Sequence, residues 1–223
     1  SDVMSVRNTG FALIAGSNVQ EVMDMALVAH LSTLEAQVPF LNFFDGFRTS
    51  TEVQKVDMID YEVMKSMLDM KYVERFRNRA LRPEKPIIKV GAQNPDVYFQ
   101  GRETVNKYYE ATPDIVQKYM DLLAKKVGRQ YHLFDYFGHP QADKVIIAMG
   151  SACDTIEETI NYLNKNRGTK LGLIKVRLFR PFKVDALVNI LPKSVKKIAV
   201  LDRTKEPGAI GEPLYLDVVS AFA

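Results

Sequence analysis

The chain has 223 residues, 47% hydrophobic and 26% charged, which excludes a disordered tail, a collagen or a coiled-coil rod. Lys and Arg number 30 against 27 Asp and Glu, and the resulting charge of +3 is too mild and too dispersed to suggest a nucleic-acid partner. A single cysteine excludes an intrachain disulfide and, with 3 scattered histidines, argues against a structural zinc site.

The apolar runs fall far short of the ~20 residues that span a bilayer, and the first residues lack the layout of a signal peptide. The expectation is a soluble, intracellular protein with no membrane partner. Ser1 is not an initiator methionine, so 223 residues need not be a whole protein.

The first predicted element is Gly10-Phe-Ala-Leu-Ile-Ala-Gly16, an apolar run between glycines that fits a buried strand. Ser17 and Gln20 have capping-box spacing, and apolar residues then recur at helical spacing to about Ala36. Residues 38–44 read as a second strand closed by Asp45-Gly46, which completes a βαβ unit. Helices are expected over 60–70 and 73–81, a short extended piece over 87–90, a loop over 91–101 and a helix from Thr104. Thr112-Pro113-Asp114 reads as the start of a further helix, stopped by Gly128. After Gly138-His-Pro140 comes a second series: strand 145–149, turn 150–153, helix 154–166, strand 171–179, helix 184–191, strand 198–201, loop 202–212 and a helix from Pro213. The fold class is α/β with doubly wound parallel sheets, and the boundary between two units falls near 129–140.

Three segments could carry chemistry. Gly150-Ser-Ala-Cys153 opens a helix after a strand, where free N–H groups suit a phosphate or carboxylate; its plainer reading is a tight turn with Cys153 a small buried residue. The 202–212 loop mixes charges of both signs and holds Gly208 and Gly211; it is either a ligand or docking loop or a surface loop with local Asp–Arg and Lys–Glu pairs. Phe43-Phe-Asp-Gly-Phe-Arg-Thr-Ser50 sets Asp45 and Arg48 at a strand end, to bind a polar ligand or to pair with each other. His30, His132 and His139 read as structural, no two of them having metal spacing. No catalytic constellation and no metal site emerges from the residues themselves.

Longer strings carry a resemblance. Arg7-Asn-Thr-Gly-Phe-Ala-Leu13, Val19-Gln-Glu-Val-Met-Asp24, residues 39–50, Ala92-Gln-Asn-Pro-Asp-Val-Tyr-Phe-Gln-Gly-Arg-Glu103, Leu173-Ile-Lys-Val-Arg-Leu-Phe-Arg-Pro-Phe182 and Leu201-Asp-Arg-Thr-Lys-Glu-Pro-Gly208 resemble pyruvate:ferredoxin (flavodoxin) oxidoreductases over essentially the whole chain. One departure is Thr51, where that family commonly has His.

The resemblance implies a piece from near the N-terminus of a much larger enzyme. Residues 1–131 would be the later part of a pyrimidine-type thiamine diphosphate domain, and 132–223 the start of a transketolase C-terminal-like domain. The parent would convert pyruvate and coenzyme A to acetyl-CoA and CO₂. It would use thiamine diphosphate, Mg²⁺ and [4Fe-4S] clusters, and pass electrons to ferredoxin or flavodoxin. It would be a homodimer in the cytoplasm or a hydrogenosome-like organelle. The family's activating glutamate and cluster cysteines lie outside the matched strings, so no catalytic residue and no cofactor is assigned within this chain. Arg7, Asp45 and Arg48 are the candidate polar groups facing the cofactor cleft or a partner domain. The alternatives are a non-catalytic binding or scaffold module of the same fold, and a form of the enzyme fused to an NADP-reducing domain.

Overall fold

An apolar run held between two glycines sets the first sheet. In the computed structural model, which describes residues 2–88 and 91–223, a short α1 (Asp2–Ser5) precedes β1 (Ala12–Ala15), all four of whose residues are buried. β2 (Phe40–Phe43) lies parallel to it, Ala12 opposite Phe40 and Ala15 opposite Phe43, with α2 (Val19–Ala36) as the crossover. The N-cap of α2 falls one residue beyond its expected place, at Asn18. Asn18 accepts the Glu21 N–H, and the Glu21 carboxylate accepts the Ser17 N–H, both at 3.0 Å. Gln20 is drawn away to Asp24 and Asp57, and the charged Glu21 is the stronger acceptor.

The middle of the chain holds α3 (Tyr61–Met67), α4 (Met70–Asn78), α5 (Pro95–Glu103) and α6 (Asn106–Val127). Two expectations fail here. The loop expected over 91–101 contains α5, which opens on Pro95, a residue whose fixed φ suits the first helical turn. The helix expected to start at Thr112 is instead the interior of α6, which runs through Pro113. Thr112 Oγ1 donates to the Tyr108 carbonyl at 2.7 Å, and Tyr109 is tied to the Gly10 carbonyl at 2.8 Å. Thr112 and Pro113 are both buried, so packing holds the helix through a residue that lacks an N–H. The extended piece expected at 87–90 falls partly on residues 89 and 90, outside the described residues. Gly128 ends α6 in the left-handed conformation, as expected.

The second sheet comprises β3 (Phe134–Gly138), β4 (Lys144–Ala148), β5 (Leu171–Val176) and β7 (Lys197–Val200) in the order β3-β5-β4-β7. β4 is parallel to β5 and β7, and β3, which the sequence reading missed, is antiparallel to β5. Side-chain alternation along β5 faces two layers: Leu173 packs with Ile160 of α7 (Ala152–Arg167), whereas Ile174 joins a core containing Leu187 of α8 (Val184–Ile190) and Leu214 of α9 (Pro213–Phe222). The result is a mixed α/β fold built around parallel strand pairs.

The run 171–179 is not one strand. It leaves the second sheet after Val176 and enters the first as β6 (Leu178–Arg180), antiparallel to β1, so the first sheet has the order β2-β1-β6. Arg177 is the crossing point. Its N–H and that of Leu178 share the Leu133 carbonyl, and its own carbonyl accepts the Ala15 N–H at 2.8 Å. One hydrophobic cluster therefore holds Leu13 and Ile14 from the first sheet together with Ile147 and Ile174 from the second.

The Arg177 side chain is buried with the backbone, the residue being 3% exposed. It pairs with Glu21 at 2.8 Å and with Asp135, and lies 5.0 Å from the centre of the Tyr131 ring. Burial opposes its charge, but Glu21 and Asp135 outweigh that cost and raise its pKa above the ordinary value. Beside it, Lys175 pairs with Asp154 and Glu157, each at 2.8 Å, and the buried Asp24 accepts from Arg129 and Tyr131. Removing one partner from such a group strands the others without compensation. Arg177→Met is expected to lower stability by about 3–5 kcal/mol. The measurement is urea unfolding, in which the midpoint falls while the slope is kept.

Candidate functional site

The carboxyl ends of strands from both sheets meet at one cleft of about 390 Å³. Its walls include Met4 of α1, Phe43 at the end of β2, Asp45, Gly150 in the turn after β4, and Asp202 and Arg203 after β7. Carboxyl ends of parallel strands are where α/β folds open their crevices.

Asp45 is the hub. Its Oδ2 accepts the Ser151 N–H at 2.6 Å, and its Oδ1 lies 3.0 Å from Arg203 Nη1. Gly150 allows this approach: its φ is +78°, and a Cβ there would lie 2.6 Å from Asp45 Oδ2. The turn at 150–153 thus takes a carboxylate, as its free N–H groups favour, but the carboxylate belongs to the same chain. Partial burial works against the Asp45 charge, yet the Ser151 hydrogen bonds and the Arg203 guanidinium prevail and hold the carboxyl below its usual range.

Arg7 donates to the Met4 carbonyl at 2.7 Å and pairs with Glu206 at 2.8 Å. Arg48 is exposed, and among the described residues Asp45 pairs with Arg203 rather than with Arg48. The 202–212 loop therefore does more than pair locally. Lys205 and Glu212 do so at 3.0 Å, but Arg203 reaches Asp45 and Glu206 reaches Arg7. Asp202 accepts the Leu214 and Tyr215 N–H groups at 3.1 and 3.0 Å, capping α9; burial raises its pKa against those bonds. Sequence reasoning singled out both segments and missed that they meet. The odd charge balance of 202–212 was the available signal.

Cys153 is fully buried, in keeping with its plainer reading, and burial pushes its thiol up to about 12, which disfavours the thiolate. Among the described residues no group of three or more His, Cys, Asp and Glu is placed to hold a metal ion. No helix of the described residues is long and apolar enough to cross a membrane.

Residues 1–121 match the family model described as pyruvate flavodoxin/ferredoxin oxidoreductase, thiamine diphosphate-binding. The chain belongs to this family. Residues 142–223 match a second model, pyruvate:ferredoxin oxidoreductase core domain II. Among relatives, the chain is 60% identical over 223 residues to the pyruvate:ferredoxin oxidoreductase of Moorella thermoacetica, covering 100% of this chain and 19% of that one. It is 55% identical over 221 residues to the pyruvate-flavodoxin oxidoreductase of Enterobacter agglomerans, covering 99% and 19%. It is 56% identical over 222 residues to the pyruvate dehydrogenase [NADP(+)] of Cryptosporidium parvum, covering 100% and 12%. The chain thus spans about a fifth or less of these members' length. A solved 2-oxoglutarate:ferredoxin oxidoreductase from Magnetococcus marinus, with 2-oxoglutarate, coenzyme A and succinyl-CoA bound, superposes on 85% of this chain and 34% of its own, with a TM-score of 0.53 and 15% identity. That likeness concerns the fold.

Two outcomes follow. The depressed Asp45 carboxyl adds stability that is complete above the ordinary carboxylate pKa and is lost as pH falls through the folded value. Asp45→Asn is therefore expected to be less stable by about 1 kcal/mol near neutral pH, with the difference from wild type closing below about pH 4; thermal melts across pH check this. Cys153 is expected to resist a disulfide-exchange reagent in the folded chain and to react at once in denaturant, read as released chromophore.

Proposed function

We propose that this chain is a working part of a multidomain 2-oxoacid oxidoreductase that converts pyruvate and coenzyme A to acetyl-CoA and CO₂ and passes the electrons to ferredoxin or flavodoxin. The observation that carries this reading is 60% identity across all 223 residues to an enzyme of that name. Thiamine diphosphate, Mg²⁺ and [4Fe-4S] clusters belong to the parent enzyme in this reading. The parent is a homodimer of the cytoplasm or of a hydrogenosome-like organelle. Residues 1–131 and 132–223 are its two partial domains. Asp45, with Arg7 and Arg48, lies on the side that faces the cofactor cleft or a neighbouring domain.

The described residues do not by themselves fit a diphosphate. The N–H group best placed for an anion, that of Ser151, is taken by Asp45, and Arg203, the guanidinium of the cleft, is paired to the same carboxylate. No chemical step is assigned to this chain. Its role is to shape one wall and to set the two sheets at a fixed angle.

The 56% identity to the Cryptosporidium enzyme supports a second reading, in which the acceptor is NADP. Expression of the full-length gene product separates the two. Pyruvate- and coenzyme A-dependent reduction of viologen dye is expected from it, and NADP reduction without added carrier identifies the fused form. The isolated 223-residue chain is expected to match the no-protein rate with thiamine diphosphate, Mg²⁺ and coenzyme A present. Turnover by that chain contradicts the reading.

A further inference from the structure

The amino ends of the strands in the second sheet carry a charge pattern that the cleft does not use. Lys144 opens β4, Lys170 precedes β5, Lys197 opens β7, and Lys193 and Lys196 lie just before it. All five are exposed, and among the described residues none of their ammonium groups forms an ion pair. The stretches 139–144, 165–170 and 193–197 hold one acid, Asp143, and add Lys165 and Arg167 to the cations. The whole chain carries only +3, so this end is far more basic than the average surface.

Two further features mark it. The register sets Lys144 directly opposite Lys197, a like-charge cross-strand pair that weakens a sheet. Lys170, Lys193 and Lys196 also line one polar pocket with Gln141, Asp143 and Ser194. The backbone holds that grouping together: Asp143 N–H donates to the Lys170 carbonyl, and the Asp143 carbonyl accepts from both Lys196 and Lys197. The lysines are thus displayed on sheet ends and not on a loose tail. Self-repulsion at such a face is relieved by a negatively charged cover.

We propose that the strand-amino-end face formed by Lys144, Lys170, Lys193, Lys196 and Lys197 docks an acidic protein surface. The lysines span three strands, wider than a single small anion needs. The five are all Lys, without aromatic side chains among them to stack bases, which favours a carboxylate-rich protein over a nucleic acid. This proposal is independent of the cleft and of the reaction assigned to the parent.

The test uses the full chain on a biosensor carrying poly-L-glutamate, with salt titrated. Binding is expected at low ionic strength and lost on raising it. The triple variant Lys170→Glu, Lys193→Glu, Lys196→Glu is expected to weaken it by about tenfold or more. A control with the same charge change elsewhere, Lys55→Glu, Lys85→Glu, Lys107→Glu, is expected to weaken it about twofold or less. Lys144→Glu is expected to raise the melting temperature, by replacing a like-charge pair with an opposite one, while weakening binding. Equal losses from the two triples overturn the proposal. So does displacement of poly-glutamate by tripolyphosphate at one-to-one stoichiometry, which makes the ligand a small anion. Tighter capture of a DNA duplex through the same lysines overturns it too.

Discussion

A guanidinium can be buried only if carboxylates come with it, and Arg177 imposes that condition at the point where the chain changes sheets. Its carbonyl accepts from Ala15 of β1, its N–H donates to Leu133 before β3, and its side chain is held between Glu21 and Asp135. Glu21 serves twice, closing the N-terminal turn of α2 through Ser17 and neutralising Arg177. The capping of the first crossover helix and the crossing of the β5–β6 run are therefore one arrangement. Such a group adds little net stability over a well-packed apolar replacement of the whole set. Its consequence is geometric: the charges are satisfied in one relative placement of α2, β3 and β5.

That placement brings the ends of β2, β4 and β7 together around the cleft. Once they meet, Asp45 can reach the Ser151 N–H, and Gly150 is the residue that lets it. Arg203 then completes the pair, and Arg7 with Glu206 ties the same loop to the segment before β1. Both ion pairs join residues from the first 50 positions to the last 25, so the cleft wall depends on the whole chain being folded. The charges of the cleft wall are thus paired within the chain itself.

Much of this was legible in the sequence, for physical reasons. β1 and β4 announce themselves as apolar runs ended by glycines, and α6 and α7 stop at left-handed glycines. The long family-like strings pointed to the relatives without reference to any short motif. Other features were hidden. β3 mixes Asp135 into aromatic residues and has no clean alternation. The run 171–179 looks like one strand because nothing local shows that Leu178 pairs with Ile14 and not within the second sheet. Pro113 and Thr112 are a good helix start in isolation, and the burial of both overrides that preference. The partners of Arg203 and Glu206 are distant in sequence, and spacing alone cannot name them.

The two sheets form one cooperative unit through the Arg177 crossing. Native-state hydrogen exchange on the full chain measures it most directly. The most protected amides of β1, β4 and β5 are expected to open with the same free energy and the same denaturant dependence. Exchange of β1 through an opening that leaves β4 and β5 protected would contradict it.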